Sequence, residues 1–142
     1  GTVLKPRQFD EVRAAGARFA VSPGCTRELA SAAVADGMPF LPGVQTVSEA
    51  MELAGQGFGL LKFFPADSAG GVAWLRAVSA PLAGVRFCPT GGIGAETAPD
   101  YLALSNVACV GGSWVAPRGA VRDADWGHIE RLAAAAASLK QP

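Results

Sequence analysis

The sequence contains one histidine and three cysteines, and these scarcities exclude several kinds of site. With His128 alone, a serine–histidine–aspartate triad and a histidine-rich metal site are not expected, and His128 is predicted to lie at the surface. Cys25, Cys88 and Cys109 are odd in number, widely spaced and without a CxxC motif. We therefore predict reduced thiols that fill core space, no disulfide framework and no bound metal.

Net charge and long apolar runs are also lacking. Twelve basic and twelve acidic side chains cancel and are scattered, so neither a nucleic acid nor an anionic membrane is an expected partner. No apolar run reaches the roughly 18 residues of a membrane-spanning helix, and the start lacks a signal-peptide pattern. A cytoplasmic protein is expected, and the opening Gly1-Thr2-Val3 without a methionine suggests a piece of a longer chain.

Short apolar segments that end in proline or glycine recur along the chain, with a helix-length segment between each pair. The predicted strands are residues 18–24, 39–43, 60–65, 85–92 and 107–113, with the end of a sixth candidate at Thr2-Val3. The predicted helices are residues 6–15, 26–35, 46–54, 70–78, 99–104 and 126–139. This alternation predicts a parallel sheet with helices on its faces.

Two α/β architectures carry such a sheet. A doubly wound sheet binds its ligand at one switch point, whereas a barrel distributes site residues over the ends of many strands. Nearly every predicted strand ends in a Pro/Gly turn, and no single Gly-rich loop follows the first strand. We therefore predict an incomplete (β/α)8 TIM-barrel type of fold, with half of the residues hydrophobic and one domain over residues 1–142.

Lys62 is the one lysine away from the chain ends, since Lys5 and Lys140 lie near the termini. It interrupts an apolar run at residues 60–65, and desolvation there would lower the pKa of its ammonium group. A neutral amine is a nucleophile whose usual use is a Schiff base with a carbonyl substrate. The alternative is a structural lysine that pairs with a buried carboxylate or extends to the surface. Strand alternation puts Phe64 on the same face, either as a pocket wall or as a core aromatic.

Glycine pairs follow the last two predicted strands. Residues 90–94 read Thr-Gly-Gly-Ile-Gly, and residues 111–114 read Gly-Gly-Ser-Trp. Paired glycines let backbone N–H groups approach an anion, and the loops after the final strands of such barrels often hold phosphate, although Gly-Gly also marks simple tight turns. Together they predict a phosphate or carboxylate site. Asp67 lies nearby in sequence and is either part of this site or a turn or cap residue.

These motifs resemble the class I 2-keto-3-deoxy-6-phosphogluconate (KDPG) and 4-hydroxy-2-oxoglutarate (KHG) aldolase family. The resemblance covers nearly the whole chain in the family's order, and its lysine and Pro-Thr-Gly-Gly motifs are specific. It rests on residues 1–3, 22–24, 42–43, 62–66, 86–93, 100–104 and 111–114. Family members are eight-stranded barrels, so the resemblance implies about the last six βα units here, with the amino-terminal part lacking.

The resemblance also implies roles for individual residues. Lys62 would form the imine with the substrate ketone, without a metal or other cofactor. Residues of the keto-acid pocket and the substrate site would be Thr2, Pro23, Phe64 and Thr90. Residues at the phosphate end would be Gly91, Gly92 and Ser113. The family's general-base glutamate and its arginine lie in the early part of the chain and match no residue here.

The implied function is therefore a class I aldolase of the Entner–Doudoroff pathway that cleaves KDPG to pyruvate and glyceraldehyde 3-phosphate, impaired in this chain by the missing base. Loss of a general base is expected to cost roughly 10² to 10⁴ in rate. The alternatives are an aldolase for KHG or another unphosphorylated keto acid, and a non-catalytic phosphate-binding fragment. The resemblance further implies a homo-oligomer, a trimer.

Overall fold

A computed structural model describes residues 1–139, in which short parallel strands alternate with helices. The strands are β1 (Ala20–Val21), β2 (Phe40–Leu41), β3 (Gly43–Val44), β4 (Leu60–Phe63) and β5 (Arg86–Pro89). β1 pairs with β2, and β3, β4 and β5 form a second sheet in that order. The α/β class with parallel pairing is therefore confirmed.

The two sheets meet at Pro42, which lies between β2 and β3. The Leu41 carbonyl accepts from the Ser22 N–H at 3.1 Å, and the Pro42 carbonyl accepts from the Lys62 N–H at 2.8 Å on the other side. At the front of the series, the Val3 N–H donates to the Val21 carbonyl at 2.9 Å. The strands therefore follow one another in chain order across both sheets.

The helices lie close to their predicted positions. They are α1 (Gln8–Ala14), α2 (Arg27–Asp36), α3 (Val47–Gly55), α4 (Gly71–Val78), α5 (Ala98–Leu102), α6 (Arg118–Arg122) and α7 (Trp126–Ala137). Thr46 and Glu49 form the predicted capping box of α3, which satisfies the first free N–H groups of the helix. The sequence prediction missed α6, whose five residues are too short to show a helical period.

The core lies between the sheet and the helices. Leu61, Phe63 and Phe87 are fully buried on the helix-facing side. The Trp74 indole of α4 stacks on the Phe63 ring with centroids 4.2 Å apart and meets the Phe87 ring edge-on at 5.6 Å. Because side chains alternate along a strand, Lys62 lies on the opposite face of the sheet.

Two predicted strands need correction. Residues 107–113 form only two isolated bridges, Phe87 to Val107 and Thr90 to Gly111, followed by a 3₁₀ turn (Ser113–Val115). Residues 39–43 form two short strands instead of one, because Pro42 has no N–H to continue a ladder.

The cysteines and the histidine also differ from expectation in part. Of the three thiols only Cys88 is buried, since Cys25 is half-buried and Cys109 is exposed. His128, in the first turn of α7, is half-buried. Within residues 1–139, no helix is long and apolar enough to cross a membrane.

The backbone at Gly43 lies so close to the backbone at Pro23 that only glycine fits at position 43. A methyl group added there should therefore destabilise the fold strongly. A Cβ at position 43 would lie 2.1 Å from the Pro23 carbonyl carbon. We expect Gly43→Ala to lower the free energy of unfolding by about 3 kcal/mol, because backbone atoms cannot move aside cheaply. Urea denaturation followed by circular dichroism measures this change.

Gly24→Ala is the matched control, since nothing lies within 4 Å of a Cβ built there. Its unfolding midpoint should stay close to that of the unchanged chain. Equal midpoints for the two variants would contradict the close packing of residues 23 and 43.

Candidate active site

Lys62 is held at the centre of the sheet. Its neighbours in register are Gly43 on β3 and Cys88 on β5. Its side chain is half-buried, whereas its chain neighbours Leu61 and Phe63 are fully buried against the helices. The backbone ladder on both sides fixes where the amine emerges, on the face of the sheet that carries no helix.

The surroundings of Lys62 favour its neutral form. Burial lowers the pKa of the ammonium group, and the Cys88 thiol acts in the opposite direction. The neighbouring Cys109 thiol and burial raise the pKa of the Cys88 thiol, so this group is uncharged near neutral pH and gives Lys62 little compensation. Across residues 1–139, no salt bridge involves Lys62. The structural alternative of a lysine paired with a carboxylate is therefore not found.

Phe64 links the lysine to the glycine loops. The Lys62 Nζ lies 4.5 Å from the centroid of the Phe64 ring. The same ring packs on Gly91, because a Cβ built there would lie 3.3 Å from Phe64 Cε2. Phe64 is half-buried, so it forms a wall between the amine and the loop after β5.

The glycine loops after β5 and after residue 110 form one cavity. The volume of this cavity is about 410 Å³, which is enough for a small phosphate ester. The residues that line this cavity are Thr90, Gly91, Gly92, Ile93, Gly112 and Ser113. Four of the six were predicted site residues, and the Thr90–Gly111 bridge holds the two loops side by side.

The loop conformations require glycine. Gly91 and Gly92 have φ angles of 101° and 79°, which side chains rarely adopt. A Cβ at Gly92 would lie 2.4 Å from Asp67 Cβ, and one at Gly112 would lie 1.8 Å from the Trp114 ring. The N–H groups of Gly91, Gly92 and Ser113 donate to no other residue in the described part of the chain. Open N–H groups at a concave backbone are a common anion-binding arrangement.

Two predicted residues lie further along the sheet. Pro23 packs its carbonyl against Gly43, the register neighbour of Lys62, and so lies one strand away from the lysine. Thr2 precedes Val3, which pairs with Val21 of β1. Two strand positions therefore lie between Thr2 and β4 along the sheet.

Sequence reasoning missed Cys88, Trp114 and the packing role of Asp67. Cys88 is a register neighbour that only strand pairing reveals. Asp67 is a turn residue, as predicted in one alternative, because its carbonyl accepts from the Gly70 N–H at 3.3 Å. No cluster of three or more histidine, cysteine or acidic residues suited to a metal ion occurs in residues 1–139.

Comparisons with known proteins agree with this geometry. Residues 1–132 match the family model for KDPG and KHG aldolase. A KHG/KDPG aldolase of Escherichia coli is 50% identical over 135 residues, covering 94% of this chain and 62% of the relative. A 2-dehydro-3-deoxy-phosphogluconate aldolase of Pseudomonas aeruginosa is 48% identical over 132 residues, covering 93% of this chain and 60% of the relative.

Solved structures show the same similarity. A KDPG aldolase of Legionella pneumophila, with pyruvate captured at low pH as a covalent carbinolamine intermediate, superposes with a TM-score of 0.92 at 51% identity over 96% of this chain and 66% of that protein. The Zymomonas mobilis enzyme with 3-phosphoglycerate gives 0.93 at 42% identity, over 99% and 66%. This chain spans 60 to 62% of the length of the two curated relatives named above. On the family match, the chain belongs to the KDPG and KHG aldolase family.

Proposed function

We propose that this chain is the lysine-bearing part of a class I aldolase that cleaves KDPG to pyruvate and glyceraldehyde 3-phosphate. The observation that carries the proposal is Lys62, an amine of lowered pKa with no carboxylate partner in the described residues. The Phe64 ring lies between this amine and the glycine-lined cavity. The relatives' names supply the substrate class, and the chain's share of their length makes the activity of the whole protein part of the proposal.

The proposed chemistry starts at the Lys62 amine. The neutral amine attacks the substrate ketone to give a carbinolamine, which loses water and becomes a protonated imine. A base takes the proton of the hydroxyl group on the fourth substrate carbon, and the bond between the third and fourth carbons breaks. The imine accepts the electron pair of that bond, so glyceraldehyde 3-phosphate leaves and an enamine remains. Protonation and hydrolysis of the enamine release pyruvate and restore the amine. A carbinolamine of pyruvate in the Legionella relative supports this course.

The other proposed roles follow from position. Phe64 lies under the amine and excludes water from one side of the imine. Pro23 and Thr90 line the keto-acid end, and the open N–H groups of Gly91, Gly92 and Ser113 bind the phosphate. In a barrel the sheet curves, and this curvature would bring the strand position of Thr2 towards Lys62. Thr2 then belongs to the keto-acid pocket.

The remaining proposals concern assembly. Consecutive parallel pairing over six strand positions supports about the last six units of a (β/α)8 barrel in one domain. A general base, and an arginine for the carboxylate, would then lie outside this sequence, and turnover by the chain alone would be lower by roughly 10² to 10⁴. A homotrimer and a cytoplasmic location stay predictions.

A second substrate is favoured by one observation. The Escherichia coli relative is named for KHG as well as KDPG, and KHG carries no phosphate. An enzyme specialised for KHG would be insensitive to changes in the glycine-lined cavity. A non-catalytic fragment would instead bind phosphate and form no imine. Capture of an imine and binding of a phosphate ester therefore separate the three candidates.

The imine proposal predicts covalent capture of pyruvate at one residue. After incubation with pyruvate and sodium borohydride at neutral pH, intact mass and peptide mapping should show one reduced adduct, on Lys62. Burial lowers the pKa of Lys62, so a larger share of this amine is neutral than of an ordinary surface lysine. The adduct yield should therefore rise with pH and approach its plateau below the pKa of an exposed lysine.

Lys62→Met should abolish the adduct, and Lys5→Met is the matched control because Lys5 is exposed. Circular dichroism checks that both variants fold. An adduct of equal yield on Lys5, or none on Lys62 in a folded sample, would reject the imine mechanism for this chain.

The phosphate site predicts a difference between two neighbouring glycines. Gly92→Ala should weaken binding of 3-phosphoglycerate at least about tenfold by calorimetry, because the new methyl group meets Asp67 and the φ of 79° is strained. Gly94→Ala should bind normally, since a Cβ there meets nothing within 4 Å. Equal affinities for both variants would move the phosphate site away from this loop.

A further inference from the structure

Asp67 is a charged residue beside the glycine-lined cavity, and the proposed aldolase mechanism does not use it. It follows β4, and backbone hydrogen bonds hold its segment against the loop after β5. The Ala66 N–H donates to the Thr90 carbonyl at 2.8 Å, and the Asp67 N–H donates to the Gly91 carbonyl at 3.1 Å. Because β4 and β5 each pair with neighbouring segments on both sides, Asp67 lies inside the sheet region and not at a sheet edge.

The Asp67 side chain lies against Gly92. A Cβ built at Gly92 would lie 2.4 Å from Asp67 Cβ and 3.2 Å from Asp67 Oδ2. Two bonds of about 1.5 Å join a Cβ to its backbone nitrogen, so this oxygen lies within roughly 6 Å of the Gly92 nitrogen. Gly92 lines the cavity, and its N–H donates to no other residue in the described part of the chain. An anion held by this N–H would therefore be a close neighbour of the carboxylate.

No salt bridge offsets the charge of Asp67 within residues 1–139. The residue is exposed, and it takes part in none of the ion pairs found there. An exposed aspartate is negatively charged near neutral pH. Burial and the charge of Asp67 both raise the pKa of the Tyr101 hydroxyl on α5, so this neighbour is neutral and adds no positive charge.

Two opposing effects therefore act on a phosphate group in the cavity. Open backbone N–H groups attract it, and a phosphate ester carries close to two negative charges at neutral pH. The Asp67 carboxylate repels this dianion at short range, and it repels a ligand that carries no phosphate far less. The net affinity for a phosphate ester is the difference between the two effects.

We propose that Asp67 is a specificity-determining residue whose carboxylate weakens the binding of dianionic phosphate esters in the glycine-lined cavity. It thereby narrows the difference in affinity between phosphorylated and unphosphorylated keto acids, which favours acceptance of both KDPG and KHG. This inference deepens the proposed function and rests on its phosphate site. Asp67 acts on the bound phosphate through its charge and takes no part in the chemistry at Lys62.

The test compares Asp67→Asn with the unchanged chain by calorimetry, with 3-phosphoglycerate as the probe. Asparagine has nearly the same shape, so the packing against Gly92 is kept while the charge is lost. Affinity should rise at least about threefold at an ionic strength of about 10 mM, where charges act over roughly 30 Å. The gain should fall below about 1.5-fold at about 1 M, where screening limits this range to roughly 3 Å. A gain of equal size at both ionic strengths would overturn the proposal.

Asp10→Asn is the matched control, because Asp10 is an exposed aspartate on α1 and its loss changes the net charge equally. This variant should bind 3-phosphoglycerate as the unchanged chain does, and circular dichroism checks that both variants fold. An equal gain for Asp10→Asn would reduce the effect to net charge and reject the role of Asp67.

Gly92→Ala and pyruvate capture separate this inference from the proposed function. If Gly92→Ala weakens binding and Asp67→Asn leaves it unchanged, the phosphate site stands and the role of Asp67 is rejected. If neither variant changes binding, both the phosphate site and this inference are rejected. The pyruvate adduct on Lys62 should form in equal yield with and without the Asp67 charge, because the Phe64 ring lies between the amine and the cavity. A changed yield would contradict the assignment of Asp67 to the phosphate end.

Discussion

The alternation of side chains along β4 is the constraint on which the rest of the structure depends. Leu61 and Phe63 are fully buried, and the Phe63 ring stacks on Trp74 of α4. Because the period of a strand is two residues, burying these two side chains forces Lys62 onto the opposite face. A slip of one residue would bury the ammonium group against an indole, at a cost of several kcal/mol. The hydrophobic core therefore fixes the position of the amine.

Close backbone approaches fix the rest of the site. Because these glycines have no side chain, the Pro23 carbonyl packs against Gly43, the Asp67 side chain against Gly92, and the Trp114 ring against Gly112. The first two contacts join a loop at the end of one strand to a neighbouring segment, and the third folds the Gly112 loop back on itself. The loops leave the N–H groups of Gly91, Gly92 and Ser113 open within the described residues, which suits the binding of a phosphate group.

Much of this arrangement could be predicted from local sequence, and the rest required pairing in space. The face of Lys62, the capping box at Thr46 and the joint position of the two glycine loops follow from period, spacing and turn chemistry. The short helix α6 has too few residues for a period. The division at Pro42 and the partners of Cys88 depend on strand register, which no single segment encodes.

The bulge after residue 107 shows most clearly where local reasoning ends. Sequence alternation treats residues 107–113 as one regular strand, and in that strand Cys109 would share the buried face with Val107. Two residues lie between the bridged positions on β5 and three lie between them on the other segment, so the faces of the residues after Val107 do not follow from the alternation. Lys62 and Cys88 occupy neighbouring strands on one face of the sheet. The neighbouring Cys109 thiol and burial raise the pKa of Cys88, so near neutral pH Cys88 supplies no negative charge that would raise the pKa of Lys62.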